Sequence, residues 1–292
     1  MEEKIRLFAK ELQIEYTGFV SAAPMMELKE RLAIARSAHG ITKFEEEDLE
    51  KRTVPQLTLA GAKSIIVCLF PYFNGENEAG NLARFARIPD YHQVVTERLE
   101  KLCAFIKQEK PDAKFAPFVD SGPLVDRYLA YQAGLGFFGK NQMLINETYG
   151  SYVFIGYIIT DLSLAPDAPL IKSCNNCGKC VRSCPGGALK DAGEFCAASC
   201  VSYITQLKTI TDEQEQILHR QPFVYGCDVC QTVCPHNQNI PLTPIAEFQK
   251  PLLSELDREA LCAMSNREFL KNFQNFPFSW RGKGAILKNF TK

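Results

Sequence analysis

Two cysteine runs constrain this chain more than any other feature of its sequence. "CNNCGKCVRSCP" spans residues 174–185 and "CDVCQTVCP" spans 227–235. The first run has the C-x₂-C-x₂-C-x₃-C-P spacing of bacterial ferredoxins, in which the fourth cysteine binds the other [4Fe–4S] cluster of a pair. A zinc site could use two C-x₂-C pairs, but it would not need four cysteines in one run followed by proline. The spacing therefore predicts two cubane clusters that pass single electrons.

The second run repeats the spacing of the last three cysteines of the first, so the two runs are expected to exchange ligands. One cluster then takes Cys174, Cys177, Cys180 and Cys234. The other takes Cys184, Cys227 and Cys230, and it lacks a fourth thiolate. Cys196 and Cys200 both lie between the runs, and spacing alone does not choose between them.

The composition limits where such a protein works and what it contacts. Nine of the twelve cysteines fall between residues 174 and 234, and the chain starts with a charged helical pattern in place of a signal peptide. Clustered thiols without an export signal indicate metal binding in a reducing cytoplasm. The apolar runs are far shorter than the ~20 residues of a membrane helix, so no membrane contact is expected. A net charge of −1 leaves RNA contacts to a local basic patch.

Residues 1–165 alternate helical and strand patterns. Helical periodicity appears in residues 5–12 and 95–106, while 64–70, 114–119 and 151–159 are typical of strands. The pattern indicates a layered α/β or α+β domain without separating the two. Two prolines in residues 162–173 mark a boundary, so the predicted segments are 1–165, the cysteine module 166–245 and a helical tail 246–292 with a helix at 252–264.

A second region of unusual chemistry is "VDSGPLVDRYLAYQAGLGFFGKN", residues 119–141. Pro123 suits the first position of a helix that would run to about Ala133. Asp120 then ends a strand and faces a helix entrance, where it is either a functional carboxylate or only a helix cap. Cys68, Cys103 and Cys262 lie in apolar patterns that favour buried free cysteines.

These motifs together closely resemble the epoxyqueuosine reductase family. The resemblance is carried by "VDSGP", "AGLGFFGKN", "YGSYVFIGYIITDL", "CVSYIT" and "YGCDVCQTVCPHN", together with both cysteine runs, and it extends from residue 18 to the end of the sequence. It implies a cobalamin-dependent oxidoreductase with two [4Fe–4S] clusters. The fold class expected is α+β, with an α/β-like layered cobalamin-binding domain and a ferredoxin-like module.

The resemblance also implies roles for individual residues. Cys200 in "CVSY" would be the missing cluster ligand, and Asp120 would be the proton donor. Cobalamin contacts are implied at Arg52, Ala83, Asp120, Leu144, Ile155, Ser202, Lys208 and Asp228, with Ala83 and Leu144 contributing backbone. His92 has no ligand role in this family.

The implied reaction is reduction of epoxyqueuosine to queuosine at the wobble position of tRNA. Two alternatives remain open: a corrinoid iron–sulfur reductase of a small molecule, similar to reductive dehalogenases, or a protein that only transfers electrons or reduces a corrinoid. Expected partners are tRNA and a low-potential donor such as ferredoxin or flavodoxin, and the expected state is a monomer.

Many relatives continue into HEAT-like repeats, so the resemblance describes this sequence as a short form in which other residues must contact tRNA. The candidates for phosphate contacts are basic side chains. They are Lys172, Lys179, Arg182, Lys208, Arg220, Arg281, Lys283 and Lys288.

Overall fold

The computed structural model describes residues 1–75, 79–191, 193–250 and 253–290. The chain divides into two compact units that are both discontinuous in sequence. Unit 1 comprises Met1–Pro71, His92–Gly139 and Met143–Cys174. Unit 2 comprises Tyr72–Tyr91, Lys140–Gln142 and Asn175–Lys292. These units differ from the three consecutive predicted segments, because two parts of the first segment and the whole of the tail belong with the cysteine runs.

Unit 1 is built on a four-stranded sheet with the order β1-β2-β6-β3. Its strands are β1 Tyr16–Ser21, β2 Ser64–Pro71, β3 Phe115–Val119 and β6 Val153–Thr160, and a small hairpin is formed by β4 Phe137–Phe138 and β5 Leu144–Ile145. Each neighbouring pair in the four-stranded sheet is antiparallel. Antiparallel pairing places the unit in the α+β class, which confirms the expected fold class.

Helices cover both faces of this sheet, so all eight residues of β2 are buried. Gly18 and Gly156 lie on opposite faces, because paired residues share a face and successive residues alternate. A Cβ on Gly18 would lie 2.6 Å from the Ala133 carbonyl oxygen, directly after α5. A Cβ on Gly156 would lie 2.9 Å from Val95 Cγ1 on α4. Both glycines therefore permit close approach of a helix to a strand.

Unit 1 contains five α-helices within its described residues, and their bounds differ from the ranges that periodicity predicts. They are α1 Glu2–Glu11, α2 Met26–His39, α3 Leu49–Thr53, α4 Tyr91–Glu109 and α5 Asp126–Gln132. The predicted helices around 5–12 and 95–106 are confirmed as α1 and α4, which each bury one apolar stripe, whereas Leu7 of α1 is exposed. Helix α5 begins at Asp126, so Pro123 is not its first residue and the helix-cap interpretation of Asp120 is wrong.

Unit 2 is formed of short helices and connecting loops. The helices are α6 Lys179–Ser183, α7 Val201–Ile204, α8 Asp212–Leu218, α9 Val229–Thr232, α10 Arg258–Ala263, α11 Asn266–Phe273 and α12 Lys283–Leu287. The predicted helix at 252–264 begins only at Arg258, and residue 252 lies outside the described residues. Asp257 caps it by accepting a hydrogen bond from Ala260 N, which explains the later start.

The C-terminal residues form part of the core of unit 2. Tyr225, just before the second cysteine run, belongs to one hydrophobic cluster with Leu261, Phe269, Phe278 and Ile286. Asn289 adds hydrogen bonds to the carbonyl oxygens of Thr205 and Val224. No helix in the described part of the chain has both the length and the apolar character to cross a membrane.

Candidate functional site

Four cysteine thiols of unit 2 lie close enough to influence one another. Burial raises the pKa of the Cys227 thiol to about 12, and the neighbouring thiols of Cys200 and Cys184 add to this rise. Burial also raises the pKa of Cys230, with contributions from the same three thiols. Bound iron would deprotonate such thiols outright, so the group has the chemistry of a cluster site.

This group is the set predicted for the second cluster, and the fourth thiol near Cys227 and Cys230 is that of Cys200. Cys196 instead accepts a hydrogen bond from Ser199 Oγ at 3.7 Å. The residue before Cys196, Phe195, forms an isolated β-bridge with Leu189. The choice of Cys200 over Cys196 therefore agrees with the arrangement of the thiols, and the ligand role itself stays a prediction.

The two cysteine runs are joined by packing of α6 against α9. These helices carry Cys180 and Cys230, and Cys234 follows α9 as a buried residue. Among the described residues, no group of three or more His, Cys, Asp or Glu side chains could hold a single metal ion. A cubane differs from a single ion because each of its thiolates binds a different iron, so the packing of the runs suits a cluster.

Asp228, between two of the cluster cysteines, is a buried carboxylate. Its Oδ2 accepts a hydrogen bond from the backbone N–H of Arg84, and its Oδ1 accepts one from Gln231 Nε2 at 3.3 Å. Burial raises the pKa of Asp228, while the Arg84 hydrogen bond and the charges of Arg84 and Arg87 oppose the rise. The carboxylate thus anchors the 83–87 loop to the cysteine run.

The predicted proton donor, Asp120, lies on an exposed turn directly after β3. Its φ is +56°, which is uncommon for a residue other than glycine, and its side chain is 62% exposed. His92, near the start of α4, places Nε2 3.2 Å from Asp120 Oδ2. From the sequence, a lone histidine such as His92 is expected to be structural and not a cobalt ligand, and no local pattern identifies Asp120 as its partner.

The turn after Asp120 is fixed by Tyr157 of β6. The Tyr157 hydroxyl accepts a hydrogen bond from the backbone N–H of Leu124 at 3.2 Å. A Cβ on Gly122 would lie 2.0 Å from this hydroxyl oxygen, so only glycine fits at this position. Phe118 stacks on the Tyr157 ring with centroids 5.3 Å apart. Sequence reasoning missed Tyr157, which resembles an ordinary strand residue.

Two further ionisable residues, Asp126 and Arg52, accompany this turn in unit 1. Burial raises the pKa of Asp126 to about 8, the charge of Asp120 adds to the rise, and Arg127 and Arg52 oppose it. Arg52 pairs with Glu45 through Nη1 at 3.3 Å. Its Nε is buried and has no hydrogen-bond partner among the described residues, so it can donate to an acceptor on a bound group.

The other predicted cofactor contacts occupy varied environments. Leu144 is buried in the core cluster of unit 1, and Ile155 packs against that cluster. Ala83 is fully buried and its N–H already donates to Tyr225 O at 3.0 Å. Ser202 is half-buried on α7, and Lys208 is exposed four residues after that helix ends.

The remaining cysteines divide into two kinds. Cys68 and Cys103 are free and buried, as predicted, and burial raises the pKa of each to about 12. Cys262 is exposed, so the prediction that it is buried is wrong. Leu261 takes the buried position on α10, which leaves the next residue facing away from the core.

Several of the basic candidates for phosphate contacts already have partners within the chain. Lys172 pairs with Glu147, and Lys283 and Lys288 donate to the carbonyl oxygens of Met264 and Leu207. Arg281 lies over the Trp280 ring, 3.9 Å from its centroid. These four side chains would have to exchange an existing contact within the chain for a phosphate contact.

Comparison with known proteins identifies similar domains in both parts of the chain. A family model described as epoxyqueuosine reductase QueG, DUF1730, matches residues 52–121. A model of a 4Fe-4S double cluster binding domain matches residues 173–237, which include the eight predicted ligands. The second match confirms that the chain has an iron–sulfur domain for two clusters.

Relatives and solved structures resemble the chain over nearly its whole length. An epoxyqueuosine reductase from Bacillus anthracis is 37% identical, with 99% of this chain and 78% of that protein covered. A crystal structure of an epoxyqueuosine reductase with an epoxyqueuosine-modified tRNA-Tyr stem loop has a TM-score of 0.90 at 36% identity, with 99% and 79% coverage. A Bacillus subtilis epoxyqueuosine reductase structure has a TM-score of 0.89 at 36% identity, with the same coverage, and is described with its catalytic aspartate loop swung out of the active site.

The similarity thus includes both the region that carries Asp120 and the cysteine runs. The chain belongs to the epoxyqueuosine reductase family.

Proposed function

We propose that this protein reduces epoxyqueuosine to queuosine in tRNA. The observation that carries the proposal is the exposed carboxylate of Asp120, held by His92 on a turn that Tyr157 fixes, in a chain that belongs to this family. The relative bound to a modified tRNA stem loop supports tRNA as the substrate. The same similarity disfavours a small-molecule reductase and a simple electron carrier.

The overall reaction removes the epoxide oxygen as water, leaves an alkene, and consumes two electrons and two protons. The departing oxygen gains a proton as its bonds to carbon break. Asp120 is suited to supply one proton, because its carboxyl is accessible and its position is set by His92. A positioned acid typically accelerates such a step by about 10²–10⁴-fold. The relative with a displaced aspartate loop supports a turn that can move.

Cobalamin and two [4Fe–4S] clusters are the cofactors we propose. When bound, cobalamin would supply a nucleophilic metal centre for carbon, and the clusters would supply single electrons. The buried Arg52 Nε fits a cofactor acceptor, while Ala83, Leu144, Ile155, Ser202, Lys208 and Asp228 are the other proposed contacts. Asp228 would act by holding the 83–87 loop, since its oxygens already accept hydrogen bonds.

The clusters would be held by the two cysteine sets named from the sequence. The neighbouring thiols of Cys184, Cys200, Cys227 and Cys230 support one set. The other set, for the first cluster, is Cys174, Cys177, Cys180 and Cys234. We propose a low-potential donor such as ferredoxin or flavodoxin, a monomeric state, and a cytoplasmic location where thiols stay reduced.

The decisive experiment incubates the cobalamin- and iron-loaded protein with tRNA carrying epoxyqueuosine and a low-potential reductant. Digestion and mass analysis of the nucleosides should show loss of one oxygen atom per modified nucleoside. Protein without cobalamin is the matched control and should give no product. Unchanged epoxyqueuosine with fully loaded and reduced protein would contradict the proposal.

A further inference from the structure

One stretch of unit 2 brings a predicted cluster ligand to the surface. Among the eight predicted ligands, Cys177 is exposed, whereas the others are buried or half-buried. The exposure extends along the chain, because Asn175, Asn176 and Lys179 are exposed as well. We call residues 175–179 the Cys177 loop. A cluster bound by Cys177 would therefore lie beneath an exposed segment of chain.

Arg182 fixes a positive charge on this loop. Its Nη2 donates a hydrogen bond to the Cys177 carbonyl oxygen at 3.1 Å. Gly178 has a φ of +69°, and a Cβ on it would lie 2.7 Å from Arg182 Nη1. Glycine therefore allows the guanidinium to lie against the loop while the arginine stays exposed. The hydrogen bond to the Cys177 carbonyl oxygen thus holds the positive charge of Arg182 beside the exposed ligand.

The charges along this part of the sequence all have one sign. Residues 168–190 contain Lys172, Lys179, Arg182 and Lys190 and no Asp or Glu. Lys172 is paired with Glu147, which leaves Lys179 and Arg182 as the cations that flank the exposed ligand. Exposed cations attract an oppositely charged partner, and such electrostatic steering raises association rates, by about 10–10³-fold in clefts lined by one sign of charge.

We propose that the Cys177 loop with Lys179 and Arg182 is the docking surface for an acidic one-electron carrier protein of the flavodoxin or ferredoxin class. This proposal rests on the proposed function, which requires a low-potential donor. One electron passes from the reduced carrier to the cluster of Cys177, so the carrier is oxidised by one electron and the cluster is reduced by one. No bond forms or breaks, and no proton moves in this step.

The exposed ligand favours a carrier over RNA on this surface. Electron transfer needs a short path between two redox centres, and Cys177 is the exposed member of the eight predicted ligands. RNA needs cations but has no need for a cluster ligand at the surface. The guanidinium of Arg182, hydrogen-bonded to the Cys177 carbonyl oxygen, would also stabilise the extra negative charge of a reduced cluster bound by Cys177.

The test measures cluster reduction by flavodoxin hydroquinone in a stopped-flow spectrometer, using the iron-loaded protein without tRNA. Lys179→Glu and Arg182→Gln should lower the second-order rate at low ionic strength, by about tenfold for the charge reversal, and the difference should shrink at high salt. Calorimetry should show weaker flavodoxin binding. Reduced methyl viologen is a cation, so Lys179→Glu should leave its rate unchanged or increase it.

The matched control is Lys101→Glu, which makes the same charge change on exposed residues of α4. It should behave like the wild type, and iron and sulfide content should be equal in all variants. Equal flavodoxin rates and salt dependence for wild type and Lys179→Glu would overturn the proposal. Loss of tRNA affinity with an unchanged flavodoxin rate would also overturn it and assign the surface to RNA. Failure of the proposed function would appear differently, as normally reduced clusters with unreacted epoxyqueuosine.

Discussion

Asp120 presents a carboxylate on an exposed turn, and replacement by Asn keeps its size while removing the proton that it could donate. Asp120→Asn should retain iron, sulfide and cobalamin and should still form a hydrogen bond with His92. Its turnover of epoxyqueuosine tRNA should fall by about 10²–10⁴-fold, because the departing oxygen loses its acid. Single-turnover assays with nucleoside mass analysis measure this. Full activity in the variant would remove Asp120 from the mechanism.

Cys200 and Cys196 are four residues apart and provide a direct test of cluster ligation. Cys200→Ser should lose one of the two clusters, because its thiol lies with Cys184, Cys227 and Cys230. Cys196→Ser is the matched control and should keep both clusters. Iron and sulfide analysis with electron paramagnetic resonance separates the two outcomes. The opposite result, with both clusters kept in Cys200→Ser and one lost in Cys196→Ser, would transfer the ligand role to Cys196.

The raised pKa of Asp126 predicts a pH dependence of stability. Its folded pKa of about 8 lies above its ordinary value near 4, so between these values the folded state retains a proton that the unfolded state has lost. The free energy of unfolding therefore falls as the pH rises through this interval, and it levels off above about 8. Asp126→Asn cannot ionise, so its Tm relative to the wild type should rise from pH 6 to pH 8.

Thermal unfolding at several pH values measures this effect in the iron-loaded protein. Asp112→Asn removes an exposed carboxyl and serves as the control. Parallel Tm curves for Asp126→Asn and the wild type would show that the Asp126 carboxyl is ionised in the folded protein at neutral pH.

At the scale of the element, the turn between β3 and α5 depends on a contact between Gly122 and Tyr157. Gly122→Ala would place a Cβ on the Tyr157 hydroxyl, so the turn must shift and Asp120 must move with it. Turnover should fall while both clusters remain bound. Tyr157→Phe in the same chain removes the hydroxyl and should restore part of the activity. Unchanged turnover in Gly122→Ala would show that this contact does not set the turn.

Regular elements with one buried face could be predicted from the sequence, whereas weakly patterned ones could not. Strand β2 is an uninterrupted apolar run, and α4 shows a helical stripe, so both were expected. Helix α2 buries only Leu28, so its sequence has no apolar face to find. The start of α5 was misplaced because Pro123 favours a helix start, while the Tyr157 contact keeps residues 120–125 in a turn.

The candidate site was predictable to the extent that it depends on spacing. The two cysteine runs indicate two clusters, but the choice of Cys200 needed either a family resemblance or the folded arrangement of the thiols. The His92 contact with Asp120 joins residues 28 positions apart, and no local pattern reports such a pairing. Tertiary packing supplied these parts of the site.

For the whole molecule, each unit contains a hydrophobic cluster of its own, so removal of iron should affect the two units unequally. Chelation should leave buried thiols in place of thiolate–iron bonds between the runs. Hydrogen exchange should then increase in α6, α7 and α9 of unit 2, while β2 and β6 of unit 1 stay protected. Mass spectrometry of peptides before and after chelation measures this. Equal loss of protection in β2 would show that iron is needed for both cores.

Because both units are discontinuous in sequence, recombination between genes cannot exchange either unit as one continuous segment. The chain passes between units at five boundaries, after Pro71, Tyr91, Gly139, Gln142 and Cys174. A recombination event that moved residues 175–292 alone would leave behind Tyr72–Tyr91, which supplies Leu82 and Ala86 to the core of that unit. Residues 175–292 are therefore not a self-contained cassette, and a functional exchange of unit 2 has to include Tyr72–Tyr91.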